Sequence, residues 1–304
     1  MTGVPPEAVR RASAYAPGHV TGVFLPRTDA RDPRARGSVG AGLVLDAGAV
    51  ARVQWNPGAR LRVRTFGDGR SPLAISSEVA ERLFSERHGS VIVRIEHELP
   101  IGQGFGMSAA GATATALAAA RLTDTSRHRA VTVAHLAELF GGGGLGGVTA
   151  ILGGGFEVRV APGIPPFGRV LRRPCHDRIL VGVVARPIPS PGVLRNPRAL
   201  ARIRRAARGF DELRTQPTLE RFWEVSERFT DSAGLAPRSL SDVLRALRRR
   251  GARACQAMFG GSFFASAPRG ARREELLSWM RRRDLRAVEL PISSVGAHLV
   301  PLRP

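Results

Sequence analysis

Apolar and polar positions along the chain alternate with two periods. Across Arg60–Phe66, Leu61, Val63 and Thr65 alternate with Arg60, Arg62 and Arg64, the period-two signal of a strand with one wet face. Ser90–Glu98, with Val91, Val93 and Ile95, reads the same way. Val39–Val53 is apolar at most positions and predicts a strand that forms a hairpin or meander with residues 60–66. Ala12–Phe24 is apolar but broken by Pro17-Gly18, which predicts a strand, a tight loop and a second element. Between these, Ser77–His88 gathers Val79, Leu83 and Phe84 on one side, and Ser108–Leu122 is rich in alanine. Both predict helices, as does Arg129–Phe140.

The second half follows a different rhythm. Phe156–Val160 predicts a strand, and the proline-rich run Pro162–Pro174 predicts a loop that separates two domains. Ile179–Ala185 is an apolar strand, residues 197–250 carry several arginine-rich amphipathic helices, and Ala254–Ala267 alternates around Gly260-Gly261. Arg272–Arg283 predicts a helix and Arg286–Pro291 a strand. A chain of 304 residues can bury two cores, and the expected division is 1–165 and 166–304.

Composition narrows the chemistry. All 46 basic residues are arginine, giving a net charge of +21 without a single lysine. This excludes the Walker A lysine, the protein-kinase lysine and every Schiff-base mechanism. The arginines cluster at helical spacing (Arg202, Arg204, Arg205; Arg248, Arg249, Arg250; Arg281, Arg282, Arg283), as on solvated helix faces. Aromatic residues are only 6% of the chain and form no base-stacking pattern, so nucleic acid is not expected as a partner. Cys175 and Cys255 read as small buried hydrophobes, and the seven histidines form no HExxH pair, so a metal site made by protein ligands alone is not expected. No apolar run is long enough to span a bilayer, and Met1–Val20 lacks the pattern of a secretory leader. A cytoplasmic protein is expected.

The segment Leu99-Pro-Ile-Gly-Gln-Gly-Phe-Gly-Met-Ser-Ala-Ala-Gly111 places glycines at 102, 104 and 106 between a predicted strand and a predicted helix. Alternate glycines let backbone amides converge on an anion, and the following helix adds its unpaired N–H groups and positive dipole end. Pro100-x3-Gly104-Phe105-Gly106-Met107-Ser108-Ala109-Ala110 resembles the second motif of the GHMP kinases, the family of galactokinase, homoserine, mevalonate and phosphomevalonate kinases. Met107 replaces the first of that motif's two serines; Ser108 keeps the second.

The resemblance runs along most of the chain and is strongest to the pantoate-phosphorylating branch of the family. Ala16-Pro17-Gly18-His19-Val20-Thr21-Gly22 is similar to its first motif, and Gly37-Ser38-Val39-Gly40-Ala41-Gly42 to its Gly-Ser-x-Gly-Ala-Gly segment. Phe229–Leu235, Gln256–Gly260 and Ser293–Leu299 resemble further segments of that branch. The resemblance implies an α+β fold with a mixed N-terminal sheet and a C-terminal ferredoxin-like sandwich. It implies ATP over Pro100, Gly102, Gly104, Phe105, Gly106, Met107, Ser108, Ala109 and Ala110, with Mg2+ on Ser108 and Glu138. It also implies acceptor contacts from His19, Ser38 and Gly40, catalytic roles for Ser108, Glu138 and His19, and a homodimer. The implied reaction converts pantoate to 4-phosphopantoate on the archaeal route to coenzyme A.

One departure keeps three readings open. Where the family carries Gly-x-Gly-Leu-Gly-Asp, this chain reads Gly143-Gly144-Leu145-Gly146-Gly147-Val148. The aspartate implied to orient or deprotonate the accepting hydroxyl is therefore a glycine. In the first, implied by the resemblance, the chain phosphorylates pantoate using Mg2+, an arginine and backbone dipoles, with a carboxylate such as Asp29 or Asp46 in place of the acid. Alternatively it is a family kinase with another hydroxylated acceptor, or a catalytically silent paralogue that binds nucleotide or nucleic acid.

Overall fold

The computed structural model describes residues 8–67 and 73–302. The leader reading of Met1–Val20 falls partly on residues 1–7, outside the described residues. Strand β1 (Arg10–Arg27) pairs antiparallel with β2 (Gly37–Pro57) along nearly its whole length, from Arg10↔Trp55 to Arg27↔Gly37. Pro17-Gly18 therefore does not open a loop. The ladder absorbs it as a shift of register between Pro17 and Gly18, followed by a second shift between Thr21 and Val23. At the first shift Asp46 and Ala47 of β2 are left without partners, and such an irregularity in the ladder tolerates a proline that has no N–H to give. His19 and Thr21 consequently stand on a strand.

Strand β3 (Arg62–Gly67) does not form the expected hairpin with β2. It is parallel to β4 (Gly89–His97), with α1 (Ala74–Leu83) crossing between them, while β4 is antiparallel to the second half of β2. Parallel neighbours need such a crossover, so no hairpin joins β2 to β3. β3 closes one edge of the sheet, and its exposed Arg62 and Arg64 suit an edge position.

Helices α2 (Met107–Thr123), α3 (Arg127–Gly141) and the single turn α4 (Gly147–Ala150) come next, then β5 (Phe156–Ala161) and β6 (Arg169–Arg173). β5 pairs with the first half of β2, and β6 pairs with β5. Residues 162–174 therefore contain a strand of the first sheet, and the change of sheet falls after Arg173. Helix α2 is packed on β1 and β2 between α1 and α3. Its run of Ala109, Ala110, Gly111, Ala112, Ala114 and Ala116, all buried, lets the backbone approach the sheet closely.

The second sheet begins at β7 (Arg178–Val183). It continues through helices α5 (Ser190–Leu194), α6 (Pro197–Ala206), α7 (Phe210–Thr215), α8 (Leu219–Ala233) and α9 (Arg238–Arg249). Strands β8 (Arg253–Gln256) and β9 (Ser262–Ser266), helix α10 (Ala271–Arg282) and strand β10 (Ala287–Pro291) complete it. The order β10-β7-β9-β8, antiparallel throughout, is the ferredoxin-like arrangement. The final strand, β11 (His298–Val300), returns to the first sheet and pairs with β1.

The two sheets share a core. Phe156 of β5 meets Phe222 of α8 at 5.2 Å, and Phe222 stacks on Phe264 of β9 at 6.1 Å. Phe24 of β1 packs edge-on to Phe259 at 5.0 Å, next to the β8–β9 turn. Among the described residues no helix is long and apolar enough to cross a membrane.

Candidate active site

A cleft of about 470 Å3 opens where the strands, the glycine loop and the glycine tract meet. His19, Thr21, Ser38 and Arg159 line it from β1, β2 and β5; the loop at Gly102–Gly106 and the start of α2 line one side, and Glu138 with residues 141–147 the other.

The loop owes its shape to glycine. Gly102, Gly104 and Gly106 have φ of 78°, 76° and 72°, the left-handed region that side chains disfavour. At Gly104 a Cβ would also lie 2.6 Å from the Ala257 carbonyl oxygen. Gly106 precedes α2 and offers no capping side chain; the first helical bond is Ala110 N–H to the Gly106 carbonyl at 2.9 Å. The amides of Met107, Ser108 and Ala109 thus begin a 17-residue helix at the cleft wall, a ready anion site. Buried Gln103 fixes the loop to the second sheet. It donates to the Ala185 carbonyl at 3.1 Å, accepts from Gly261 N–H at 3.0 Å, and its own carbonyl accepts from the Ser262 hydroxyl.

Two buried carboxylates serve the site: Glu138 lines the cleft, and Glu157 lies behind it, fully buried against His19 and Arg159. Glu138, in the last turn of α3, accepts the Ser108 hydroxyl at 2.5 Å. Burial pushes its carboxyl up to about 7, with the Ser108 bond offsetting only part of the rise. The tract wraps this side chain: a Cβ on Gly143 would lie 2.4 Å from Glu138 Oε1. Glu157, on β5, is an ion-pair partner of Arg159 and accepts from His19 Nε2 at 2.9 Å. Burial pushes Glu157 up, yet Arg159, His19 and Arg172 together hold it below the ordinary glutamate value. Burial lowers His19, and Arg159 and Arg172 lower it further against the pull of Glu157, so the imidazole is neutral.

The residues singled out in the sequence are not all placed alike. Gly102, Gly104, Gly106, Met107, Ser108, Ala109, His19, Ser38 and Glu138 line the cleft. Pro100 and Phe105 lie on the far side of the loop, in a second cavity of about 600 Å3 against β7 and residues 281–288. Ala110 is buried in the body of α2. Gly40 does not line the cleft; a Cβ there would meet the Val23 carbonyl at 2.3 Å and the Arg159 guanidinium at 2.9 Å, so its bareness makes room for Arg159. Asp29 and Asp46 are exposed and outside the cleft, so neither stands in for the missing acid. At Gly147 a Cβ would lie 2.7 Å from Ala109 Cβ, so the space for an acid is closed as well as empty.

Residues 74–155 match the model of the GHMP kinases N-terminal domain. The chain is 32% identical to a pantoate kinase of Methanospirillum hungatei over 265 residues, 85% of this chain and 88% of that protein. It is also 32% identical to a pantoate kinase of Thermococcus kodakarensis, over 77% of this chain and 80% of that one. The chain belongs to the pantoate kinase family. A solved structure described as a phosphotransferase related to the CoA biosynthesis pathway superposes with a TM-score of 0.85 at 28% identity, covering 96% of this chain and 99% of that one. A homoserine kinase from Cytophaga hutchinsonii shares the fold, at a TM-score of 0.65 and 14% identity over 98% of this chain and 100% of that one.

Set within the pantoate kinase fold, three polar groups had no role assigned from the motifs: Thr21 at the cleft, Glu157 fully buried behind it, and Arg159 at the cleft. The second and third were marked in the sequence only as opposite charges two apart in an apolar strand, Phe156-Glu157-Val158-Arg159-Val160. That spacing puts both on one face, and a carboxylate with a guanidinium on the buried face of a strand is paired for a reason.

Proposed function

We propose that this protein transfers the γ-phosphoryl group of ATP to the primary hydroxyl of pantoate, forming 4-phosphopantoate for coenzyme A synthesis. One observation carries the reading: two anion-binding features of different kinds face a single cleft. On one side is the amide-lined start of α2; on the other is Arg159, 3% exposed, whose Nε–H has no partner. A Cβ on Gly146 would lie 2.8 Å from that Nε and 2.6 Å from Ser38 Oγ. The bare glycine lets the Ser38 hydroxyl and the Arg159 guanidinium stand close together at the cleft, a pair suited to a carboxylate that also bears a hydroxyl. Membership of the pantoate kinase family supports pantoate as that acid.

ATP phosphates fit the α2 start, and Mg2+ fits Ser108 and Glu138. Both are oxygen donors, and Glu138 is a buried carboxyl with no cation beside it. Among the described residues no group of three or more His, Cys, Asp or Glu could hold a metal ion, which suits an ion that takes its remaining ligands from phosphates and water. Bound there, Mg2+ would neutralise charge on the β- and γ-phosphates. Arg159 and Ser38 orient the acceptor, and the α2 amides hold the phosphates in line with it. The reading carries with it a cytoplasmic location and a homodimer.

An ADP-release assay with pantoate, homoserine, mevalonate and shikimate tests the proposal. Turnover with pantoate at least about tenfold above the other acceptors is expected. Preference for another hydroxy compound replaces the acceptor, and ATP binding without turnover on any of them makes the chain a silent nucleotide binder.

A further inference from the structure

With Gly147 bare and its side-chain space closed by Ala109, the accepting hydroxyl has no acid from the tract to take its proton. β1 and β5 offer another acceptor for it. Thr21 is partly exposed at the cleft, and its Oγ1 lies 3.3 Å from His19 Nδ1. On its other edge the imidazole is bonded through Nε2 to Glu157 Oε1. An ionised carboxylate can only accept, so Nε2 carries the hydrogen and donates it. Nδ1 therefore holds the lone pair, and the Thr21 hydroxyl donates to it. This fixes both the tautomer and the direction of the chain, from the cleft inward. The Thr21 oxygen keeps its lone pairs to receive a proton from a molecule in the cleft.

The surroundings suit such a transfer. The charged groups facing the imidazole are Glu157 and Arg159 on β5 and Arg172 on β6. Burial and the two arginines favour the neutral imidazole, the form with a lone pair at Nδ1, and the Glu157 carboxylate bonded to Nε2 offsets part of their opposition to the imidazolium that forms on proton transfer. The order hydroxyl, imidazole, carboxylate is that of a catalytic triad, with the hydroxyl here passing a proton and not attacking.

We infer that Thr21, His19 and Glu157 form a relay that removes the acceptor's hydroxyl proton during phosphoryl transfer. This rests on the kinase reading above. As the acceptor oxygen bonds to the γ-phosphorus, the bond from that phosphorus to the bridging oxygen breaks and its electron pair leaves with ADP. The acceptor's proton passes to Thr21 Oγ1, and the Thr21 proton passes to His19 Nδ1. The imidazolium is held by Glu157 until it returns its proton to solvent after the products leave. Thr21 touches the acceptor; His19 and Glu157 act through it.

The test compares Thr21→Val, Thr21→Ser and His19→Gln with the parent chain, measuring kcat, the KM for the acceptor, ATP affinity and thermal melting. Valine keeps the volume and branching of Thr21 on its strand, so the comparison does not depend on the more disruptive change at His19. Thr21→Val and His19→Gln are expected to lower kcat about 10²-fold or more, while the acceptor KM and ATP affinity stay within about threefold and Thr21→Ser stays within about fivefold of the parent. Parental kcat in Thr21→Val overturns the relay. So does an equal loss in the valine and serine variants, a raised KM at unchanged kcat, or a phosphorylated Thr21 in the turning-over enzyme. If the parent chain phosphorylates a different hydroxy acid, the pantoate reading fails alone, and the same comparison with that acceptor decides the relay. A parent chain that phosphorylates no acceptor overturns both.

Discussion

Glu138 in the cleft wall and Glu157 behind it are both buried, and the protein treats them in opposite ways. Glu138 has one hydroxyl for company and is pushed towards its neutral form; Glu157 is clasped by a guanidinium and an imidazole and is held ionised. Burial penalises both charges equally in kind, so the neighbours decide the outcome. The contrast separates two tasks. A carboxyl without a built-in counter-charge is suited to a cation that arrives with the nucleotide, whereas one with permanent partners organises the groups around it.

That contrast can be broken from either side, and the largest effect is expected at Glu157. Glu157→Gln leaves Arg159 buried without its partner and should cost about 3–5 kcal/mol in urea unfolding, whereas Glu138→Gln should cost little or raise stability at neutral pH. Equal losses in the two variants would erase the distinction. In turnover the ranking turns toward Glu138: Glu138→Gln should lower Mg2+-dependent ADP release about 10²- to 10³-fold, read at saturating ATP.

The pH dependence of stability should differ in sign. The folded chain favours the neutral form of Glu138, so that contribution is full below the ordinary glutamate value of 4.5 and is lost as pH rises through about 7. The loss is about 3 kcal/mol at about 1.4 kcal/mol per unit, and Glu138→Gln should flatten this slope. Glu157, held below its ordinary value, contributes above that value and loses the contribution as pH falls through the depressed one. Glu157→Gln should flatten the acid side instead. Unfolding at a series of pH values checks both.

The smallest effect concerns Gly147. Gly147→Asp should lower stability by about 1–3 kcal/mol and lower turnover, because its Cβ would be 2.7 Å from that of Ala109. Ala109→Gly in the same chain should recover most of that stability. A gain in turnover from Gly147→Asp alone would show that α2 and α4 can part enough to seat the family's acid, and would make the two existing carboxylates less central.

Much of this arrangement was legible in the residues. The alternate glycines followed by an alanine-rich segment announced the loop and α2; Ser108 came from the second motif, and Glu138 from its position before the glycine tract. Local punctuation misled at Pro17-Gly18, where pairing with β2 outweighed the tendency of that dipeptide to turn. It misled again at 162–174, where Arg169–Arg173 found a partner in β5. Likewise, the alternating strand at residues 62–67 disclosed its wet face but not that it would lie parallel to β4. Thr21, Glu157 and Arg159 were hidden for a further reason. Their meeting depends on β2 carrying β1 on one side and β5 on the other, a long-range pairing that no local window contains.

The return of β11 to β1 has a consequence for how the chain is made. Ser293 N–H reaches the Val44 carbonyl at 2.8 Å, its own carbonyl receives Gly155 N–H at 2.7 Å, and Ala297 N–H reaches Ile151 at 2.9 Å. On the ribosome, the residues that complete the first sheet thus emerge after every strand of the second. Until they do, β1 has a bare edge and those backbone groups wait for partners. The strand that bears His19 and Thr21 gains its β11 neighbour only after the second sheet has been made, so the two sheets cannot be completed one after the other along the chain.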